Sequence, residues 1–292
     1  MLGLGDNLHQ RAVVRDLLER HDVFLQTPWP ALYHDLPVHL LPPRETSLRT
    51  QRKNARREQA AYRARPPVGA RSQRVWYTHD EIRRHGSFMA AMAANCGTRS
   101  NDFRLPIPDG WELRAEAWRR RWQALNPAGK PLMLYRPLVE RTEWNGCAAR
   151  NPDAEAYAAL ARSLCARYFV VSVADLQPGV EWIVSPDIGA DVECHAGELT
   201  VDVLAAIAAT AGLVFCSPGF ALVLAQAVGA PCIGVFGGHE SGRLYRSPWN
   251  PQLYIEPITP CECFSKTHAC NKQIDMPVAL QRIEEFTRAA QG

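Results

Sequence analysis

The 292-residue sequence contains no run of 18 apolar residues, which excludes a membrane-spanning helix of ordinary length. It has no basic N-terminal region followed by an apolar stretch and a small-residue cleavage site. The opening MLGLGDNLHQR therefore reads as non-secretory, and the expected compartment is the cytoplasm. Regular cysteine spacing is also missing. The nine cysteines are odd in number, and Cys96, Cys147, Cys165, Cys194, Cys216 and Cys232 are scattered, which suits reduced core thiols rather than a disulfide framework. No GxGxxG fingerprint is present, so a nicotinamide cofactor has no support. No internal repeat or low-complexity array is evident either.

What is present is an α/β alternation long enough for two Rossmann-like domains. Leu8, Val13, Val14, Leu17 and Leu18 mark an early helix. Asp22–Pro28 and Pro37–Pro43 read as short strands, together suggesting half of a doubly wound sheet. The span 44–84 is polar and reads as helix plus loop, and Trp111–Trp122 has the spacing of a helix. Asn126-Pro-Ala-Gly-Lys-Pro131 is the linker candidate, with a domain boundary at 127/128. Beyond it PLMLYRP, YFVVSVAD, LVFCSPG and PCIGVFGG read as buried strands. Helices are expected over 154–166, 201–211 and FALVLAQAVG, with a terminal one over 278–290. Strand–turn–helix units of this length imply a parallel sheet with ligands at the strand C-termini. The expected organisation is an acceptor domain over 1–127, a donor domain over 128–275 and a closing helix over 276–292.

Candidate chemistry sits at those strand ends. Arg136 follows LMLY, and Arg141-Thr142-Glu143-Trp144 comes shortly after; guanidinium forks suit phosphate oxygens. Ser217-Pro218-Gly219 opens a helix, where exposed N–H groups favour an anion, and Gly237-Gly238-His239 lets a ligand approach main chain. The other reading of these segments is ordinary βα turns. Near the N-terminus, Gly3-Leu4-Gly5-Asp6-Asn7 precedes a helix, and from residue type alone Asp6 reads as its cap.

The segment HAGELTVDVLAAIAATAGLVFCSPGFALVLAQAVGAPCIGVFGG resembles the donor-domain core of glycosyltransferase family 9, the ADP-heptose:lipopolysaccharide heptosyltransferases. GLGDNLHQRAVVRDL resembles that family's GxGD start, RTEW its phosphate-contact loop, and PCECFSKTHAC its Cys-rich stretch near the C-terminus. The likeness covers about 60% of the chain, is weakest over 40–125, and is narrower towards phage and prophage members. It implies a GT-B fold, two Rossmann-like domains with parallel sheets and an interdomain cleft. It also implies a nucleotide-sugar co-substrate and Asp6 as general base for an inverting transfer, with His195 facing the nucleotide. This chain departs from the family at the SPGF turn, where an acidic residue and a downstream His are usual and Ser217, Pro218 and Val223 stand instead. The identity of the sugar is therefore not carried over.

Two further clusters remain. Cys261, Cys263, His268 and Cys270 could supply a tetrahedral zinc site, the alternative being reduced or partly disulfide-linked cysteines in a crossover. Between Arg44 and Arg84 there are 12 Lys and Arg against 4 Asp and Glu, a net of +8, while the rest of the chain nets −5. Arg49, Arg52, Lys53 and Arg56, with Asn7, are the candidate acceptor contacts, and Tyr62, Trp76 and Tyr77 are available for stacking. A solvated helix face accounts for the same charges. A polyanionic acceptor is expected, foremost hydroxymethylated pyrimidine in phage DNA, then lipopolysaccharide or another surface glycan. A non-catalytic nucleotide- or nucleic-acid-binding module is the reading from a different class.

Overall fold

A computed structural model of the chain describes residues 3–144, 148–265, 267 and 269–291. Its internal contacts divide it into two compact units, Met1–Pro106 and Ile107–Gly292.

The first unit is built on helix α1 (Leu4–Leu18), with strands β1 (Phe24–Gln26) and β2 (His39–Leu41) and helices α2 (Arg49–Arg57), α3 (His79–His85) and α4 (Phe88–Cys96). α1 is buried through its middle by apolar and polar residues alike: Leu8, Ala12, Val13 and Val14, but also Asn7, His9, Gln10 and Arg11. Arg11 is 0% exposed and reconciles its charge with burial by donating to the carbonyls of Leu32 and Arg104 and, at 2.8 Å, to the Asp35 carboxylate. α3 starts on a capping box, with Thr78 Oγ1 accepting from Glu81 N–H and the Glu81 carboxylate accepting from Thr78 N–H, and ends at the left-handed Gly86. The half of a doubly wound sheet expected here is not what forms. Among the described residues of this unit the sheet is one parallel pair, β1 with β2, registered Phe24 to His39. The chain beyond β2 turns to proline and arginine and has no further apolar alternation to add a strand.

The second unit begins with helix α5 (Asp109–Gln123), which packs against helix α7 (Val201–Ala209). The contact-based division therefore falls at 106/107 rather than at the Pro/Gly segment near 127. Strands β3 (Leu132–Tyr135), β5 (Phe169–Val173), β7 (Val192–Cys194), β8 (Leu213–Cys216), β9 (Cys232–Val235) and β10 (Gln252–Ile255) form one parallel sheet in the order β10-β9-β8-β3-β5-β7. Numbered by their appearance in that sheet, the strands run 3-2-1-4-5-6, the doubly wound order, and the winding reverses between β3 and β8. A short antiparallel pair, β4 (Val139–Arg141) with β6 (Glu181–Ile183), branches off beyond β3.

Helices α6 (Ala154–Cys165), α8 (Phe220–Val228) and α9 (Met276–Gln291) complete the unit. β5, β8 and β9 are buried at every position, as strands covered on both faces must be. Met133, Tyr157, Leu160, Val170, Phe215, Ile233 and Ile283 belong to the core that joins the sheet to α6 and α9. Among the described residues no helix is long and apolar enough to cross a membrane.

Candidate functional site

In a doubly wound sheet, ligands bind outside the strand C-termini at the point where the winding reverses. Here that point lies between β3 and β8, and the residues immediately after those strands are Arg136 and Ser217. Arg136 is fixed by its backbone: its N–H donates to the Phe215 carbonyl at 2.9 Å, and its carbonyl accepts from Tyr157 Oη at 2.6 Å. Its guanidinium donates to the Val173 carbonyl at 2.9 Å and to Glu181 Oε1 at 3.0 Å. Arg141 reaches the same Glu181 oxygen at 2.9 Å, because Arg141 and Glu181 are register partners in the β4–β6 pair.

The result is two guanidiniums on one carboxylate whose side chain is 1% exposed. Burial pulls the Arg136 pKa down and the charge of Arg141 acts in the same direction, while Glu181 opposes both. The three side chains together carry one net positive charge beside the switch point.

The second half of the switch point is the start of α8. Gly219, its N-cap, has φ 146° and ψ −153°, a region essentially restricted to glycine. A Cβ there would meet nothing within 4 Å, so conformation and not crowding requires the glycine, and the space in front of the helix start is open. No side chain caps α8, and its first turn carries no acidic residue. That leaves its N-terminal dipole uncompensated by any carboxylate of its own turn.

The other expected donor residues lie at the same edge in different roles. His195 follows β7 and is tied by its Nε2 to Ser172 Oγ at 2.8 Å, with Glu193 3.5 Å from Nδ1. At Gly237 the close approach is made by the chain itself: a Cβ would come within 2.5 Å of the Asn151 carbonyl oxygen. Gly238 is left-handed (φ 84°), and His239 is buried with its ring edge-on to Phe264, centroids 5.7 Å apart. These two residues are braced from the Cys-rich segment, where Glu262 N–H donates to the Gly238 carbonyl and Phe264 N–H to that of His239. Glu181 is the site residue that sequence reasoning did not single out.

That brace also holds the cysteines. The Sγ atoms of Cys261, Cys263 and Cys270 all lie within 4.8 Å of one another. Three sulfurs on a tetrahedral zinc sit about 3.8 Å apart, given Zn–S bonds of about 2.3 Å, so a modest contraction would close the set. Glu262 (φ 46°) and Phe264 (φ 53°) alternate with Cys261 and Cys263 in the left-handed region, a conformation that non-glycine residues adopt at a cost and that recurs at ligand clamps. Burial pushes the Cys261 thiol up to about 11; a backbone hydrogen bond at Cys263 opposes the rise, and hydrogen bonds to the Cys270 and Cys263 thiols add to it. A divalent cation would reverse that by taking the thiolates. The fourth expected ligand, His268, lies outside the described residues.

In the first unit the GLGDN motif does not precede α1 but forms its first turn. Asp6 is the third helical residue, and its Oδ2 accepts the N–H of the N-cap Gly3 at 3.0 Å, so the capping role expected from residue type is present. Its Oδ1 accepts from Tyr77 Oη at 2.7 Å. Asn7 is 2% exposed, with its amide nitrogen donating to the Gly3 carbonyl and its oxygen accepting from Thr27 Oγ1, both at 2.8 Å. It is thus an internal tie rather than a surface contact.

Arg49, Arg52, Lys53 and Arg56 recur along one side of α2, while Gln51 and Asn54 anchor the opposite side. Asn54 donates to the Pro28 carbonyl at 2.6 Å. Arg52, Lys53 and Arg56 are exposed and Arg49 is half-buried, leaving a basic helix face towards solvent.

No protein-family model matches the chain, and no curated protein sequence matches it. Solved structures do. A glycosyl transferase of family 9 from Veillonella parvula superposes with a TM-score of 0.59 at 11% identity, covering 99% of this chain and 95% of that one. The ADP-heptose lipopolysaccharide heptosyltransferase II of E. coli gives 0.54 at 16%, covering 99% and 97%. The dodecameric iron-containing heptosyltransferase TibC of enterotoxigenic E. coli, in complex with ADP-D-β-D-heptose, gives 0.58 at 12%, covering 100% and 76%. At these identities the likeness establishes the fold: this chain has the α/β architecture, with its parallel sheet, of the family 9 glycosyltransferase structures.

Proposed function

We propose that the chain is an inverting glycosyltransferase of GT-B type that moves a sugar from a nucleoside diphosphate donor to a hydroxyl of an anionic acceptor. The observation that carries this reading is the switch point of the second unit. Arg136 and Arg141, held together by Glu181, and the open, uncapped start of α8 at Gly219 lie at strand ends where a diphosphate is stabilised without any need for metal. In the reaction the acceptor oxygen attacks the anomeric carbon as the bond from that carbon to the phosphate oxygen breaks. The diphosphate leaves with the bonding electrons, and the acceptor proton passes to the Asp6 carboxylate. Arg136, Arg141 and the α8 dipole oppose the charge that develops on the leaving group.

Two of the similar solved structures are heptosyltransferases, one of lipopolysaccharide and one holding ADP-heptose, which supports an ADP-sugar donor and a glycan acceptor. The exposed face of α2 supports an acceptor rich in phosphate, such as a lipopolysaccharide core. Hydroxymethylated pyrimidine in phage DNA offers the same hydroxyl-and-phosphate chemistry but draws nothing from those neighbours. The cysteine cluster fits a structural metal, zinc or iron, bracing the Gly238–His239 turn beside the donor site.

The test is mass spectrometry of products after incubation with ADP-heptose and other nucleotide sugars, with phosphorylated core oligosaccharide and hydroxymethylated DNA offered separately. Transfer to the oligosaccharide is the expected result. Transfer to DNA alone would replace the acceptor assignment. Tight nucleotide binding with no transfer to any acceptor would favour a non-catalytic binding module.

A further inference from the structure

The Asp6 carboxylate is held from two directions. One tie is local, the Gly3 N–H on Oδ2. The other comes from 71 residues downstream, where Tyr77 donates its hydroxyl to Oδ1 at 2.7 Å. Tyr77 ends the basic, extended stretch before α3, and its ring is fixed on several sides. It lies edge-on to Phe88 of α4, with centroids 5.5 Å apart at 69°, and stacks with Trp76 at 6.0 Å and 13°. It also packs against the pair formed by Val13 of α1 and Met92 of α4. The chain beside it is pinned to α4 by Asn95, whose amide donates to the Trp76 carbonyl at 2.6 Å. A phenol so confined holds its hydroxyl oxygen in one place beside Asp6.

We propose that Tyr77 is the positioning residue for Asp6 in the transfer reaction, an inference that rests on the reading of Asp6 as the base. A carboxylate that accepts one hydrogen bond on each oxygen cannot rotate about its terminal torsion without losing both. The orientation of the carboxylate is therefore set before substrate arrives. Both hydrogen bonds are made to the ionised form and favour it, so Tyr77 also keeps the base deprotonated to lower pH. A tyrosine present only to pack α1 against α4 would do neither, since its ring contacts survive the loss of the hydroxyl.

The experiment is carbon-13 NMR titration of the carboxylates in the full-length protein, with the Asp6 signal assigned through Asp6→Asn, in the parent and in Tyr77→Phe. The Asp6 midpoint should move up by about one pH unit in Tyr77→Phe. The acid limb of the rate of ADP release from ADP-heptose should move in the same direction, with kcat about tenfold lower and the KM for ADP-heptose within about twofold of the parent. An unmoved Asp6 titration, or a loss carried by KM, would overturn the proposal.

If Tyr77→Phe does not fold, Tyr77→3-fluorotyrosine keeps the ring and strengthens the donor. The Asp6 midpoint must then fall, and no change would again overturn it. An Asp6→Asn protein that releases ADP as fast as the parent ends the base reading and this proposal with it. An inactive Asp6→Asn protein beside an unmoved Tyr77→Phe titration ends this proposal alone.

Discussion

Replacing Glu181 with glutamine should lower stability and tighten the grip on a diphosphate at the same time. Arg136 and Arg141 share the Glu181 carboxylate, at 3.0 and 2.9 Å, and its side chain is 1% exposed. With an effective dielectric constant of about 20 and charge centres about 4 Å apart, each attraction is about 4 kcal/mol before desolvation. Much of that sum is offset by no longer burying an ion, and glutamine still accepts a hydrogen bond. The loss should therefore settle at about 3 kcal/mol, in the range for breaking a buried pair. For a unit of this size that is a fall in Tm of about 6–12 °C.

The opposite sign appears in binding. The site goes from one net positive charge to two, and a phosphate no longer faces a buried carboxylate, so pyrophosphate affinity should rise about tenfold, or about 1.4 kcal/mol. Differential scanning fluorimetry with and without pyrophosphate reads both effects, and the ligand should recover most of the lost Tm. A Glu181→Gln protein that binds pyrophosphate as poorly as Arg136→Ala would refute the reasoning, because Glu181 would then be a ligand contact rather than the counter-ion of the two arginines.

Gly219→Ala places a side chain at φ 146° in open space, so the cost is conformational, about 1–3 kcal/mol, and calorimetry should show it together with weaker ADP binding. Burial holds His9 near a pKa of about 4 against an unfolded value of about 6.5. Because the folded value is the lower one, the unfolded chain takes up a proton first as pH falls. Stability should decline from about pH 6.5 and level off below about pH 4, by about 3 kcal/mol in all. Urea melts at pH 7.5 and 4.5 should show that loss shrinking in His9→Phe. Metal analysis of the purified chain should find one zinc or iron per chain, released with a drop in Tm by a strong chelator and absent in Cys263→Ser. A metal content unchanged by Cys263→Ser would sink the cluster as a ligand set.

Much of the second unit's strand–turn–helix alternation was readable because several of its strands are continuous apolar runs ending at small residues. LVFCSPG and PCIGVFGG, with FALVLAQAVG between them, announce strand, turn and helix without reference to the rest of the chain. What it did not make readable depends on distant partners. Glu181 sits in the run GVEWIVS, and nothing local marks it as buried; its place is set by arginines 40 and 45 residues upstream. Asn7 looks like a site residue because it follows Asp6, yet its partner is Thr27, on the segment after β1. β7 and β10 are only partly buried, so they lack the continuous apolar run that marks β8 and β9. Helix α3 did carry a signal, the Thr78-x-x-Glu81 capping box closed by Gly86, but the surrounding charge hid its single buried apolar residue, Ile82.

A crystal structure of the chain soaked with ADP measures directly where a diphosphate binds. The predicted result is diphosphate density in hydrogen-bonding reach of the Arg136 or Arg141 guanidinium and of the main chain at the start of α8. Density for ADP elsewhere in the second unit, with Gly219 and both arginines untouched, would contradict it.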